Sequence, residues 1–310
     1  MSLAFVFPGQ GSQSVGMLSA LAESNPLVVE TFTEANDALG MDLWSLVQNG
    51  PEDALNQTTN TQPAMLAAGV ATWRVWQEKS GAVPAVMAGH SLGEYTALVC
   101  AGSLAFADAI KLVADRGRFM QEAVPTGEGA MAAIIGLDDD GVQSLCEANA
   151  ANEVLSPVNF NSPGQVVIAG SAAAVQRAVD GAKAAGAKRA LLLPVSVPSH
   201  CQLMHGAAAR MAERLADIEL TVPTIPVIHN FNVQVEKTPE SIKQALVSQI
   251  EQPVRWVEII QKMAADGVEK LVECGPGKVL VGLNKRIDKS MNTWAIYDAE
   301  TMTAALEGVK

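Results

Sequence analysis

A chain of 310 residues, 49% hydrophobic and 17% charged, can bury one large core or a large and a small one. Its net charge of -12 argues against nonspecific nucleic-acid binding and against anchoring on an anionic membrane surface. No apolar run approaches a membrane span, the start lacks signal-peptide character, and four scattered cysteines show neither a disulfide framework nor metal-ligand spacing, so a cytoplasmic protein is expected.

Hydrophobic periodicity predicts a strand at 4–7, helical segments over 15–39 and 62–79, a strand at 85–88, a helix from Leu92 and another over 106–122. The rhythm then changes. A strand at 130–135, a helix at 138–150, paired strands at 154–160 and 166–169, a helix at 171–185 and a strand at 189–195 follow in turn. That β-α-β-β-α-β order is the ferredoxin-like split unit, bracketed by Pro125 and by Val197-Pro198. Beyond it come a helix after His205, a strand at Val227-Ile228, helices near 239–250 and 255–265, a strand at 270–273, and a helix over 278–286. Alternating strands and helices imply a mostly parallel sheet covered on both faces. The expected organisation is an α/β core in two pieces, 1–124 and 198–310, with an inserted α+β subdomain at 125–197.

The chemistry concentrates in Gly89-His90-Ser91-Leu92-Gly93, placed between a strand and a helix. In that context Gly-x-Ser-x-Gly is a nucleophile turn. The glycines allow close backbone approach, and the turn sets the hydroxyl of Ser91 at the positive end of the next helix, where an oxyanion is stabilised. A second N–H donor is expected from the loop Phe7-Pro8-Gly9-Gln10-Gly11-Ser12-Gln13, through the backbone of Gln10. That loop has neither the Gly-x-Gly-x-x-Gly nor the Gly-Lys-Ser/Thr pattern of a phosphate cradle.

Serine needs a base, and only four histidines are present. His90 adjoins Ser91 in the turn, so its side chain should point away; His205 lies on a helix and reads as surface or packing. His229 ends a strand and is a candidate neighbour of the site. His200 lies where the chain re-enters the core, in an extended segment that Pro198 keeps from helix, and is the expected base. No acid after it stands out as a third member. Gln249 ends a helix before a proline, and its free carbonyl can accept the imidazole Nδ1–H instead. Cys201 beside His200 is not expected to be a nucleophile.

These segments, with Thr61-Gln62-Pro63-Ala64, Arg116-Gly117, the run from Pro157 to Gln165, Val197-Pro198-Ser199-His200 and Gly275-Pro276-Gly277-Lys278, span nearly the whole chain. Together they resemble the malonyl-CoA:acyl-carrier-protein transacylases of fatty-acid synthesis. The resemblance implies a hydrolase-like α/β core with an inserted ferredoxin-like subdomain. It also implies an acyl ester on Ser91, His200 as base, an oxyanion hole from the N–H groups of Gln10 and Leu92, Arg116 on the malonyl carboxylate, and the Gln249 carbonyl orienting the histidine. Gln62, Asn159 and Ser199 are expected as neighbours of the site, Ser199 as a selectivity position. Malonyl-CoA and acyl carrier protein are the implied substrate and partner, with no bound cofactor, no metal, no nucleic acid and no membrane; a monomer is expected.

Arg116 taken alone reads as a surface arginine snorkelling from a helix. A free carboxylate entering a dry cleft gives a guanidinium there a physical purpose. The rival readings are a serine hydrolase such as a thioesterase, a loader for a polyketide pathway, and a module retained only for docking. Two basic clusters, Lys183, Lys188 and Arg189, and Lys278, Lys285 and Arg286, are the expected landing points for an acidic carrier.

Overall fold

The computed structural model describes residues 2–80, 82–195 and 197–310, so Ser196 of the extended segment before His200 lies outside the described residues. The first strand, β1 (Ser2–Phe7), runs through the centre of a five-stranded parallel sheet. Its side chains alternate between two cores. Phe5 and Phe7 enter one, where Trp73 and Trp76 meet the Phe5 ring edge-on at 5.1 and 5.0 Å; Ala4 and Val6 enter the other. A strand apolar on both faces is what helices on both faces require. Fully burying each such aromatic contributes about 1.5–3 kcal/mol.

Helices α1 (Ser19–Ser24) and α2 (Pro26–Leu39) replace the single helical segment expected over 15–39. Pro26 lacks an N–H and cannot continue the first helix, but it suits the opening position of the second. Two short helices absent from the sequence reading follow, α3 (Leu43–Asn49) and α4 (Glu52–Leu55). They are too brief to show a period. The long helix α5 (Thr58–Ser80) leads to β2 (Val86–Gly89), then α6 (Gly93–Cys100) and α7 (Phe106–Glu122).

The inserted unit is β3 (Gly129–Ile135), α8 (Asp139–Ala150), β4 (Leu155–Ser162), β5 (Gln165–Ser171), α9 (Ala172–Ala182) and β6 (Arg189–Leu192). Its four strands form an antiparallel sheet in the order β4-β5-β3-β6, the ferredoxin-like arrangement. The last strand ends at Leu192 rather than Val195, although Leu193 N–H still donates to Met131 O at 2.9 Å.

The chain returns through α10 (His205–Ala216), β7 (Val227–Ile228), α11 (Pro239–Glu251), α12 (Trp256–Ala265), β8 (Val268–Cys274) and α13 (Val279–Ile287). A closing pair unread in the sequence, β9 (Asn292–Ile296) and α14 (Ala299–Gly308), completes the parallel sheet in the order β7-β2-β1-β8-β9. β9 is half exposed at the sheet edge, so it lacks the apolar run that marks β1. Strand β4 is tied by backbone to the core segment that joins α11 to α12. Phe160 N–H donates to Val254 O at 3.0 Å and Val254 N–H to Val158 O at 2.8 Å. No helix among the described residues is long and apolar enough to cross a membrane.

Candidate active site

Strands β1 and β2 run parallel in register, Phe7 against Gly89, so the loops that follow them emerge side by side. The turn after β2 is tight. A Cβ on Gly89 would lie 1.8 Å from the Gly93 carbonyl carbon, and one on Gly93 would lie 2.1 Å from Phe7 O. Ser91, with φ 49°, takes the left-handed conformation that non-glycine residues avoid. Its side chain faces a cleft lined by Gln10, Leu92, Arg116, Asn159, Ser199 and His200.

His200 also holds a left-handed backbone, φ 64°, anchored by its N–H on Ile250 O at 3.1 Å. Nε2 lies 2.8 Å from Ser91 Oγ, and Nδ1 lies 2.6 Å from the carbonyl of Gln249, at the end of α11. With Nδ1–H donating to that carbonyl, Nε2 presents its lone pair to the hydroxyl. Burial, reinforced by the nearby Arg116 charge, holds the imidazole down at about 3. It is therefore neutral, and a proton acceptor, at any ordinary pH. A carbonyl in place of an acid orients the ring without adding a charge.

Arg116 is the correction to the snorkelling picture: it is 2% exposed. Along α7 the buried residues Ala109, Leu112, Val113, Phe119 and Met120 define one face, and Arg116 falls on it. Gly117 lets α7 approach α5 closely, since a Cβ there would meet Thr58 O at 2.7 Å. Nη1 then donates to Gln62 Oε1 at 2.8 Å, and Nη2 to Gln249 Oε1 at 3.0 Å and Ser91 Oγ at 3.3 Å. Every partner is neutral. No carboxylate among the described residues pairs with this guanidinium, whose Nε is left without a partner. A buried cation that is hydrogen-bonded to no carboxylate among the described residues, and lies one hydrogen bond from Ser91 Oγ, has the chemistry to accept an anion.

Of the residues expected at the site, Gln10, Ser91, Leu92, Arg116, Asn159, Ser199 and His200 line one cleft, Gln62 and Gln249 are bonded to Arg116, and His229 lies apart. Gln249 contributes more than its carbonyl: its side-chain Nε2 donates to Ser91 O at 2.9 Å, while Oε1 receives Arg116. Gln62 sits behind Arg116 and donates to Met120 Sδ at 3.7 Å. Asn159 carries a buried Oδ1 without a partner among the described residues. His90 points away from Oγ, its Nε2 2.8 Å from Asn161 Oδ1. His205 lies on the surface against Glu251 at 2.9 Å. His229 lies outside the cleft lining, buried beside Glu94. Burial pushes the Cys201 thiol up to about 11, which makes it inert. The apolar wall was not read from the sequence: Met120, Met131, Leu193, Val195 and Val197 line the cleft. The position of Arg116 in the apolar stripe of α7 was the available signal for its burial.

Residues 4–302 match the family model of the acyl transferase domain. A malonyl CoA-acyl carrier protein transacylase of Escherichia coli K12 is 60% identical over 304 residues, 98% of either chain. One from Bacillus subtilis is 43% identical over 309 residues, covering 99% and 97%. Among solved structures, an acyl carrier protein S-malonyltransferase from Vibrio cholerae superposes with a TM-score of 0.95 at 59% identity over the whole of both chains. A malonyl-transacylase in complex with its type II PKS acyl-carrier protein superposes with a TM-score of 0.98 at 56% identity, covering 99% of this chain and 100% of that one.

Proposed function

Because the chain belongs to the acyl transferase family, we infer that it transfers malonyl from malonyl-CoA to the phosphopantetheine thiol of acyl carrier protein, supplying fatty-acid synthesis. Ser91 Oγ attacks the thioester carbonyl as His200 Nε2 takes its proton. The N–H groups of Leu92 and Gln10 hold the resulting oxyanion. The C–S bond breaks, the proton passes to the departing sulfur, and a malonyl-Ser91 ester remains. The carrier thiol then gives its proton to His200 and attacks the ester, and Ser91 Oγ recovers the proton as the ester bond breaks. Arg116 grips the malonyl carboxylate in both halves of the cycle. No metal or redox group enters the scheme.

The observation that carries this reading is the Arg116 guanidinium, buried, unpaired with any acid and 3.3 Å from Ser91 Oγ. A lipase or general thioesterase has no use for a desolvated cation there, and a docking module has no use for the serine and histidine beside it. Intact-mass measurement after exposure to malonyl-CoA, with peptide mapping, tests it. One malonyl on Ser91, absent from Ser91→Ala, is expected; stoichiometric acylation of Ser91→Ala elsewhere would remove the claim. The 56% identical transacylase solved with a PKS carrier favours a second acceptor of the same chemistry, so transfer should be assayed to both classes of carrier. We place the protein in the cytoplasm, as a monomer, and divide it into a core of 1–124 with 198–310 and a subdomain of 125–197.

A further inference from the structure

We propose that Asn230, held by Glu94 and His229, is a positioning residue that pins the strained nucleophile turn and reserves the oxyanion site for Leu92 and Gln10. This rests on the reading of Ser91 as the nucleophile. Behind the turn, on the side away from the cleft, lies a polar cluster sealed from solvent: Glu94, His229 and Asn230 are each no more than 1% exposed. The transfer chemistry uses none of the three.

The Asn230 carboxamide bridges the two peptides that flank His90, the second of which carries the Ser91 N–H. Oδ1 accepts the Ser91 N–H at 2.7 Å, and Nδ2 donates to Gly89 O at 2.7 Å. β7 is the neighbour of β2 in the sheet, and Asn230 lies two residues past its end. Its side chain therefore takes the place that the next peptide of β7 would occupy. A strand neighbour cannot follow β2 into a left-handed turn, but a side-chain amide can.

Asn230 is itself immobilised. Its N–H donates to Glu94 Oε2 at 2.8 Å, and its carbonyl accepts from Arg255 N–H at 3.1 Å. Glu94 belongs to the first turn of α6, and its other oxygen lies 2.7 Å from His229 Nδ1. The ring of contacts thus returns to the helix that starts at the turn.

The consequence is a division of labour among three consecutive N–H groups. The Ser91 N–H is occupied, and Gly93 N–H donates to His90 O at 2.9 Å. Between them Leu92 N–H, like that of Gln10, donates to no acceptor among the described residues. Freed from Asn230, the turn could relax toward an ordinary φ. Ser91 Oγ would swing from His200, and Leu92 N–H from the developing oxyanion.

Single-turnover acylation by malonyl-CoA, followed by intact mass, tests the assignment in Asn230→Ala, His229→Ala and His229→Asn, each with its melting curve. Misplacing a nucleophile by about 1 Å costs on the order of 10²-fold in rate. Asn230→Ala should lose about that much in the acylation step while half-saturation by malonyl-CoA moves less than about threefold, because Arg116 is untouched. The amide nitrogen of His229→Asn can replace Nδ1 as the donor to Glu94, so that variant should acylate faster than His229→Ala. An Asn230→Ala protein that acylates at the wild-type rate, or whose loss lies mainly in half-saturation, would overturn the proposal. So would a His229→Asn variant no better than His229→Ala, which decides the matter if Asn230→Ala fails to fold. Wild-type protein that takes no malonyl at Ser91 would instead defeat the proposed function.

Discussion

Two strand–turn–helix units flank β1 in the parallel sheet, β2 with α6 on one side and β8 with α13 on the other. Both turns are glycine-bracketed and both present a helix N-terminus with its unpaired N–H groups. In the β8 unit the strand's own Glu273 reaches over and plugs that terminus, accepting Leu280 N–H at 3.0 Å and Val281 N–H at 2.8 Å. Its turn places glycines in the left-handed region, Gly275 at φ 140° and Gly277 at φ 80°. In the β2 unit the left-handed residue is Ser91, and the acid of the helix's first turn, Glu94, faces backwards to His229 and Asn230. One terminus is satisfied within the protein, by the carboxyl group of Glu273. The other leaves Leu92 N–H without an acceptor among the described residues, and in the proposed mechanism that N–H receives an anion that exists only during the reaction.

Disarming the open unit should have the largest effect. His200→Ala should slow formation of the malonyl-enzyme by about 10²–10⁴-fold in a quenched single-turnover assay, the usual scale for losing a general base. A loss below tenfold would mean that His200 does not take the serine proton.

Next comes the charge beside it. Arg116→Ala should lose about 2–5 kcal/mol of transition-state stabilisation toward malonyl-CoA, the scale for removing one partner of a buried charged pair. Acetyl-CoA, with no carboxylate to place, should be affected far less, and the ratio of the two kcat/KM values reads the difference. The acid limb of the residual activity should also move to higher pH, since Arg116 is one of the groups that holds His200 low. Equal losses for both acyl groups would make Arg116 structural.

Opening the plugged unit should change stability and its pH dependence rather than chemistry. Burial pushes Glu273 up from 4.5 to about 7. Between those values the unfolded chain has released a proton that the folded protein still holds, so the contribution of Glu273 falls as pH rises through 7. His200 works in the opposite sense. Held down at about 3 against an ordinary 6.5, it makes the folded state lose stability as pH drops below 6.5. Glu273→Gln should therefore remove a slope of about 1.4 kcal/mol per pH unit over the upper window, seen in urea melts of variant and wild type at stepped pH. Parallel curves for the two proteins would show that the carboxyl titrates normally.

The smallest effect is expected where the α13 unit meets the subdomain. Arg286 Nη1 donates to Gln165 Oε1 at 2.7 Å; Gln165 pairs with Ile135, and Ile135 with Arg189. Strands lie about 4.8 Å apart, so Gln165 and Arg189 are about 10 Å apart along the end of one sheet, and Arg286 joins that end through Gln165. Reversing Lys188 and Arg189, or Lys285 and Arg286, to Glu should raise KM for the acidic carrier and leave transfer to free pantetheine nearly unchanged. The effect should shrink with added salt, because exposed charges are screened. Unchanged carrier kinetics at low salt in both double variants would place the docking surface elsewhere.

What could be read from the amino-acid order is what is encoded locally. The alternation of Phe5 and Phe7 with Ala4 and Val6 announces a strand buried on two faces. The glycines around Ser91 announce a turn, and the β-α-β-β-α-β rhythm announces the inserted sheet. The short helices α3 and α4 and the edge strand β9 were missed because brief or half-exposed segments carry little period. The burial of Arg116, the double use of Gln249 and the apolar wall of Met120 and Met131 depend on contacts between residues distant in sequence, the hydrogen bonds among them spanning 25 to 158 residues. The same holds for Asn230. Its amide reaches Ser91 across 139 residues only because β7 pairs with β2, and that pairing is decided by the packing of the whole sheet. A sequence specifies which groups are available and how each short segment bends; which of them share a dry cleft, and in what protonation state, is set by burial, and burial exists only once the chain has folded.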